Sequence, residues 1–393
     1  MSDVLAALRL PLTSSTFGQQ EKDAVTAVME SDMFTMGRHV SEFEAEFASF
    51  FGRRHAVMVN SGSSANLVAV AALFYRKDLP LMPGDEVIVP CISWATTFYP
   101  LQQYGLKLRF VDIDINTLNI DVEQIERAIT PKTRMIVAVS ILGNPCRFDK
   151  ITQICQKYNL ILFEDNCESM GAVYDGRYTG TFGLVGTFST FFSHHISTME
   201  GGLILTDDFE IDCLCRSIRN HGWCRGQPVG SPIFEKKDSD FYEAYRFILP
   251  GYNVRPMEIQ GAVGKVQLKK LDAFLRTRRG NAAHFVNTFK HDKRFIIQQE
   301  TGQSSWFCFT MIVNPDAGTD RDAVLSTLKK SNIEYRIITG GNMLRHDVIK
   351  YFDYEVVSSK QADIAHDRGF FVGNHPVDIR DEIDYLYKSL KGI

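Results

Sequence analysis

From residue 40 to about 210 the chain alternates between two hydrophobic periods. Phe43, Phe47, Phe50 and Phe51 recur at helical spacing within residues 41–51. Short apolar runs suited to strands follow at 55–59, 86–89, 108–112, 135–142 and 161–163, and the stretches 64–75, 97–104, 121–129 and 150–157 read as helices. Strands that are apolar throughout must be covered on both faces, so this order predicts an α/β fold with a mainly parallel sheet. Two more strands, 187–192 and 202–206, follow without a helix between them.

Beyond this unit, residues 225–248 are polar and irregular, with Pro228, Gly230 and Pro232, and read as a loop. A long amphipathic helix is expected over 257–290, through Ile259, Val263, Val266, Leu268 and Leu271. Its basic run Arg276, Arg278, Arg279 reads as a solvated face. A strand at 306–313, a helix at 321–330, a strand at 334–338 and a helix at 382–390 then suggest a smaller α/β domain. The expected division is 1–255 for the large domain with its N-terminal segment, and 256–393 for the connecting helix and small domain.

Composition narrows the function. The 393 residues are 45% hydrophobic and 23% charged, values of an ordinary globular protein. Forty-three Lys and Arg against forty-seven Asp and Glu leave a formal charge of -4, with no basic footprint for nucleic acid or a membrane surface. No apolar window is long enough to span a bilayer. Residues 1–12 lack the basic-then-apolar pattern of a signal peptide, so a cytoplasmic location is expected. Eight cysteines are too sparse for a disulfide framework and read as free thiols.

Four segments place small or polar residues where a strand should end. Asn60-Ser61-Gly62-Ser63-Ser64-Ala65-Asn66 opens a helix. It suits either a phosphate on free N–H groups or a plain N-cap. Ser93-Trp94-Ala95-Thr96-Thr97 holds a tryptophan that fits the core or a stack on a planar ligand. Glu164-Asp165-Asn166-Cys167-Glu168 puts acids at a strand's carboxyl end, where open α/β sheets bind ligands. There a carboxylate can pair with a protonated ring nitrogen or simply cap a helix. Ser193-His194-His195-Ile196-Ser197-Thr198-Met199-Glu200-Gly201-Gly202 carries adjacent histidines. On an extended segment these point to opposite faces, a poor metal pair, and no metal is expected.

Taken together in this order, and with Met33-Phe34-Thr35-Met36-Gly37 and Gly251-Tyr252-Asn253-Val254-Arg255-Pro256-Met257-Glu258, the segments resemble the DegT/DnrJ/EryC1/StrS family of pyridoxal-phosphate enzymes acting on nucleotide-linked keto-sugars. The resemblance implies the aspartate-aminotransferase fold: a large mixed, mainly parallel sheet domain, a small C-terminal domain, and a homodimer with shared active sites. It implies that Asp165 pairs with the pyridine nitrogen of pyridoxal 5′-phosphate, Trp94 stacks on its ring and Glu168 meets its phenolic oxygen. Gly62, Ser63 and Ser189 would hold the phosphate, with Asn253 and Arg255 reaching in from a second subunit. His221, in Arg219-Asn220-His221-Gly222, is expected to contact substrate.

One departure sets the subclass. Where family aminotransferases carry the imine-forming lysine, this chain has His194, and no lysine occurs between Lys157 and Lys236. Imidazole lacks the primary amine for an imine but moves protons near neutral pH. The segment is similar to that of the family's 3-dehydratases, which use glutamate and the pyridoxamine 5′-phosphate form. Those acting on CDP-linked sugars also carry an iron–sulfur cluster on four cysteines. Here Cys167 and Cys224 fit two of the positions, but Cys213 and Cys215 come too early, so no cluster is expected. The implied substrate is a nucleotide-linked 4-keto-6-deoxyhexose, with GDP-4-keto-6-deoxymannose favoured, and the products are a 4-keto-3,6-dideoxysugar and ammonia. An aminotransferase using a distant lysine and an inactive binding protein remain the alternatives.

Overall fold

The computed structural model describes residues 8–392. Residues 1–7, within the stretch read for a signal peptide, and residue 393 lie outside that range. In chain order the strands are β1 (His55–Val59), β2 (Glu86–Pro90), β3 (Lys107–Val111), β4 (Thr133–Val139), β5 (Ile161–Asp165), β6 (Val173–Tyr174), β7 (Arg177–Tyr178), β8 (Val185–Ser189), β9 (Gly202–Thr206), β10 (Phe295–Ile297), β11 (Cys308–Val313), β12 (Tyr335–Arg336), β13 (Tyr354–Val356) and β14 (Gly369–Gly373).

Eight of them form one sheet in the order β1-β9-β8-β5-β4-β2-β3-β13. From β8 to β13 all neighbours are parallel, and β9 runs antiparallel to both β8 and β1. All five residues of β2, β8 and β9 are buried, as their unbroken apolar or small-residue runs require. The helix Gly62–Tyr75 is apolar nearly all round because it lies between this sheet and the helices Ala95–Gln103 and Phe209–Ile218. The family-type mixed α/β fold is thereby present.

A second, antiparallel sheet has the order β10-β11-β14-β12. Its core gathers Phe285, Phe289, Phe309, Phe370 and Leu386, and Leu10 from the N-terminal segment joins them. The part of the chain after residue 256 also returns to the large sheet. There β13 pairs with β3, and the Asp112 carboxylate accepts the N–H groups of Gln361 and Ala362, both at 2.9 Å, at the start of helix Lys360–Arg368.

Three sequence expectations are corrected. The helix expected over 257–290 is two helices, Glu258–Leu268 and Leu271–Phe289. The first packs on helix Arg38–Phe50 and the second on the small sheet, so the change of partner redirects the chain. The strand expected at 187–192 is β8, ending at Ser189, and the chain then turns through the two histidines. The basic run is not all solvated: Arg276 is exposed, Arg278 is buried, and Arg279 donates to the carbonyls of Ser304 and Gly171, both at 2.9 Å. Among the described residues no helix is long and apolar enough to cross a membrane.

Candidate active site

The carboxyl ends of β5, β2 and β8 meet around Asp165, the last residue of β5. Its Oδ2 accepts Asn66 Nδ2 at 2.8 Å and Thr97 Oγ1 at 2.7 Å, and its Oδ1 accepts the N–H of Cys167 at 3.1 Å. Thr187 of β8 donates to Asn66 Oδ1 at 2.6 Å, which fixes the amide so that its NH2 faces the acid. A carboxylate has about four lone-pair sites, so three bonds leave room for one more donor. That is the fit required for a protonated pyridine nitrogen.

The other residues expected around the ring lie at or just after the carboxyl ends of β1, β2 and β8. Trp94 precedes helix Ala95–Gln103 and is 60% exposed, which removes the core alternative for this residue and leaves its face open to a ligand. Ser61 caps helix Gly62–Tyr75 by accepting Ser64 N at 3.1 Å, so the first-turn N–H groups of Gly62 and Ser63 have no intrahelical acceptor. Ser63 Oγ bonds Thr96 Oγ1 at 2.8 Å, and Ser189 lies against the same turn. A Cβ on Gly62 would sit 2.7 Å from the Ser189 Cβ and 2.9 Å from Cys167 Sγ, so glycine is what lets these three segments close up. Free N–H groups, hydroxyls and a helix N-terminus together suit a phosphate.

His194 is half-buried, its N–H bonded to the Phe191 carbonyl at 2.9 Å. Its ring packs edge-on against Phe191 and Phe307, with centroids 5.9 and 5.1 Å away. The Nδ1 atom is enclosed and has no hydrogen-bond partner among the described residues. Burial, with the Arg278 charge second, pushes its pKa down to about 3, so the imidazole is neutral at pH 7. His195 is fully buried, with Nε2 3.2 Å from the Ser305 carbonyl. The two histidines do not point to opposite faces: the segment turns, and both rings lie on Phe307.

Arg278 had no signal beyond its basic neighbours. Its Nη1 donates to the carbonyls of Phe307 and Asn374 at 3.1 and 2.8 Å, its Nε has no partner, and no carboxylate pairs with it among the described residues. It sets a positive charge close behind both histidines. Asn66, Thr97 and Thr187 were likewise missed as a group, since they converge only once the sheet is formed.

Glu168 accepts Leu142 N at 3.0 Å and Thr339 Oγ1 at 3.2 Å, and burial raises its pKa to about 7. Glu164, four residues earlier, accepts the N–H groups of Gly180 and Gly183 instead, both at 2.6 Å. Three expected residues make no hydrogen bond to the Asp165 group among the described residues. Arg255 Nε donates to Asn253 Oδ1 at 3.0 Å on partly exposed backbone. His221 is left-handed, with φ of +61°, and packs on Trp223 at 5.1 Å. Cys213 and Cys215 are buried in helix Phe209–Ile218, and Cys224 donates to Glu243 Oε2 at 3.2 Å. No group of three or more His, Cys, Asp or Glu side chains among the described residues is arranged to hold a metal ion.

Known proteins of similar sequence and structure cover nearly the whole chain. The chain is 51% identical over 387 residues to GDP-4-keto-6-deoxy-D-mannose 3-dehydratase of Escherichia coli O55:H7, covering 98% of this chain and 100% of that protein. It is 48% identical over 387 residues to the enzyme of the same name from Yersinia pseudotuberculosis, covering 98% of each. A solved structure of E. coli GDP-4-keto-6-deoxy-D-mannose-3-dehydratase with bound hydrated PLP superposes with a TM-score of 0.96 at 51% identity, covering 98% of this chain and 100% of that one. The model of the DegT/DnrJ/EryC1/StrS aminotransferase family matches residues 15–391, and the chain belongs to that family.

Proposed function

We propose that this protein is a pyridoxal-phosphate-dependent 3-dehydratase that removes the C3 hydroxyl of GDP-4-keto-6-deoxymannose, with glutamate as amino donor. The observation that carries the reading is His194: a neutral, half-buried imidazole at the position of the family's imine-forming lysine. The full-length identity to two enzymes of that name supports the same substrate.

When bound, the cofactor supplies an amine carrier and an electron sink. The chain does the rest. Asp165 keeps the ring nitrogen protonated, held in register by Asn66 and Thr97. Trp94 covers the ring, and Gly62, Ser63 and Ser189 take the phosphate. His194 accepts a proton at its free imidazole nitrogen. The burial and Arg278 charge that keep it neutral also make its protonated form a strong acid, ready to hand that proton to the departing C3 oxygen. Electrons balance through glutamate, which leaves as 2-oxoglutarate. The sugar loses one oxygen as water, and nitrogen leaves as ammonia.

The functional unit in this reading is a cytosolic homodimer in which Asn253 and Arg255 serve the neighbouring site and His221 contacts the sugar nucleotide. The test is turnover of GDP-, CDP- and dTDP-linked 4-keto-6-deoxyhexoses with glutamate, followed by mass spectrometry. The GDP sugar should lose one oxygen, with ammonia and 2-oxoglutarate appearing in step. Accumulation of a stable amino sugar would overturn the assignment in favour of an aminotransferase.

A further inference from the structure

Two of the described residues with left-handed backbone touch one carboxyl group. Leu142, with φ of +52°, and Thr339, with φ of +41°, both donate to Glu168 Oε2, at 3.0 and 3.2 Å. No hydrogen bond takes up Oε1 among the described residues, so one oxygen is pinned and the other is open to a ligand. Thr339 is the β-branched member of the left-handed set and is buried in the turn Ile338–Gly340, where Gly340 and Gly341 continue at φ of +83° and +79°. A β-branched residue pays in strain for this backbone, and such strain persists only where the surroundings over-determine it, as at functional sites. The same turn is fastened to the loop presenting Trp94. Met343 N donates to the Cys91 carbonyl at 2.9 Å, and Ile92 bridges Asn342.

We infer that Thr339 is a positioning residue for the reaction: through its hydroxyl the C-terminal part of the chain fixes the Glu168 carboxyl and aims its free oxygen at the cofactor's ring oxygen. This rests on the reading of Glu168 as a cofactor contact. The groups that face the carboxyl are few. Asp165 adds a like charge, and the thiols of Cys167 and Cys308 stand beside it, both held neutral by burial. The Thr339 hydroxyl and the Leu142 N–H are the donors that favour its ionised form.

The test uses the full chain with three substitutions, Thr339→Val, Thr339→Ser and Thr339→Gly. Two readouts precede any turnover: the Glu168 titration in cofactor-free protein, by infrared difference against Glu168→Gln, and the affinity of that protein for pyridoxal phosphate. Thr339→Val keeps the shape and loses the hydroxyl. Its Glu168 midpoint should rise by roughly one pH unit, and the cofactor should bind roughly tenfold more weakly. Thr339→Ser should restore both. Thr339→Gly relieves the backbone strain and guards against misfolding of the valine variant, and it should show the same two shifts. An unchanged Glu168 midpoint in either hydroxyl-free variant overturns the inference, even if affinity falls. Since that midpoint is read without cofactor or sugar, it is decided separately from the dehydratase assignment.

Discussion

Asparagine at position 194 would keep the polar edge of the histidine ring but could not carry a proton. His194→Asn should therefore fold and bind pyridoxal phosphate, yet lose sugar deoxygenation by roughly 10²–10⁴-fold, the range of a lost general base. His195→Asn should do the opposite. That ring is fully buried against the Ser305 carbonyl, so the change should lower unfolding stability by about 1–3 kcal/mol while turnover per folded molecule survives. If His195→Asn abolishes turnover in folded protein and His194→Asn does not, the roles are exchanged. Glu168 sets a pH dependence of its own. Its folded pKa of about 7 lies above its ordinary 4.5, so its stabilising contribution is full below pH 4.5 and is lost as pH rises through 7. Glu168→Gln stays neutral throughout. In thermal melts of cofactor-free protein, its stability relative to wild type should climb between those pH values and then level off; a pH-independent difference would contradict the buried, protonated acid.

Glycine spacing decides how two helices meet at the front of the site. Glu258 opens helix Glu258–Leu268 and accepts the N–H groups of Gly37 at 2.7 Å and Val40 at 3.3 Å, capping helix Arg38–Phe50 with negative charge. The crossing is close: a Cβ on Gly261 would lie 2.5 Å from the Val40 nitrogen, and one on Gly264 would lie 2.6 Å from the Phe43 ring. Gly261→Ala should thus lower stability by about 1–3 kcal/mol in denaturant titration, since backbone cannot yield as a side chain can. An unchanged midpoint would mean the helices slide apart at no cost. Such elements were legible in the sequence to different degrees. Buried strands such as β2 and β4 announce themselves as apolar runs, and the motif order carried Trp94, Asp165 and His194. By contrast β13 is exposed at every residue and offers no buried apolar run. Its place at the sheet edge is secured by backbone pairing with β3 and by Glu355 facing Lys107 at 2.6 Å. Arg278 looked like one of three surface arginines because helical phase shifts where 257–290 breaks in two. The role of Thr339 depends on a backbone angle that no pattern of residue types encodes.

At the scale of the whole molecule, the site is built from one end of the large sheet but opens beside an apolar surface. Met33, Phe34, Met199 and Met257 are each more than two-fifths exposed. They belong together: Glu258 N bonds the Phe34 carbonyl at 3.0 Å, and Gln260 reaches the Glu200 carbonyl at 2.5 Å. Apolar side chains grouped in this way favour cover by another protein surface, and a second copy of the chain is the simplest cover for a face that also carries the site. Asn253 and Arg255 lie between Asn220, which bridges Asn253, and the exposed Met257, and Val254 accepts Asn60 N at 3.0 Å. Their side chains bond each other, and no hydrogen bond ties them to the Asp165 group among the described residues. Mixing two inactive variants separates the arrangements. His194→Asn and an Asn253→Ala, Arg255→Ala double variant should each be inactive alone. If each site draws His194 from one subunit and Asn253 with Arg255 from the other, random reassortment gives heterodimers in which one site carries both defects and the other carries neither. Turnover should then return to about a quarter of the wild-type level, because half the dimers are mixed and half of their sites are intact. If all three residues serve the site of their own subunit, every site in the mixture keeps a defect and no activity returns.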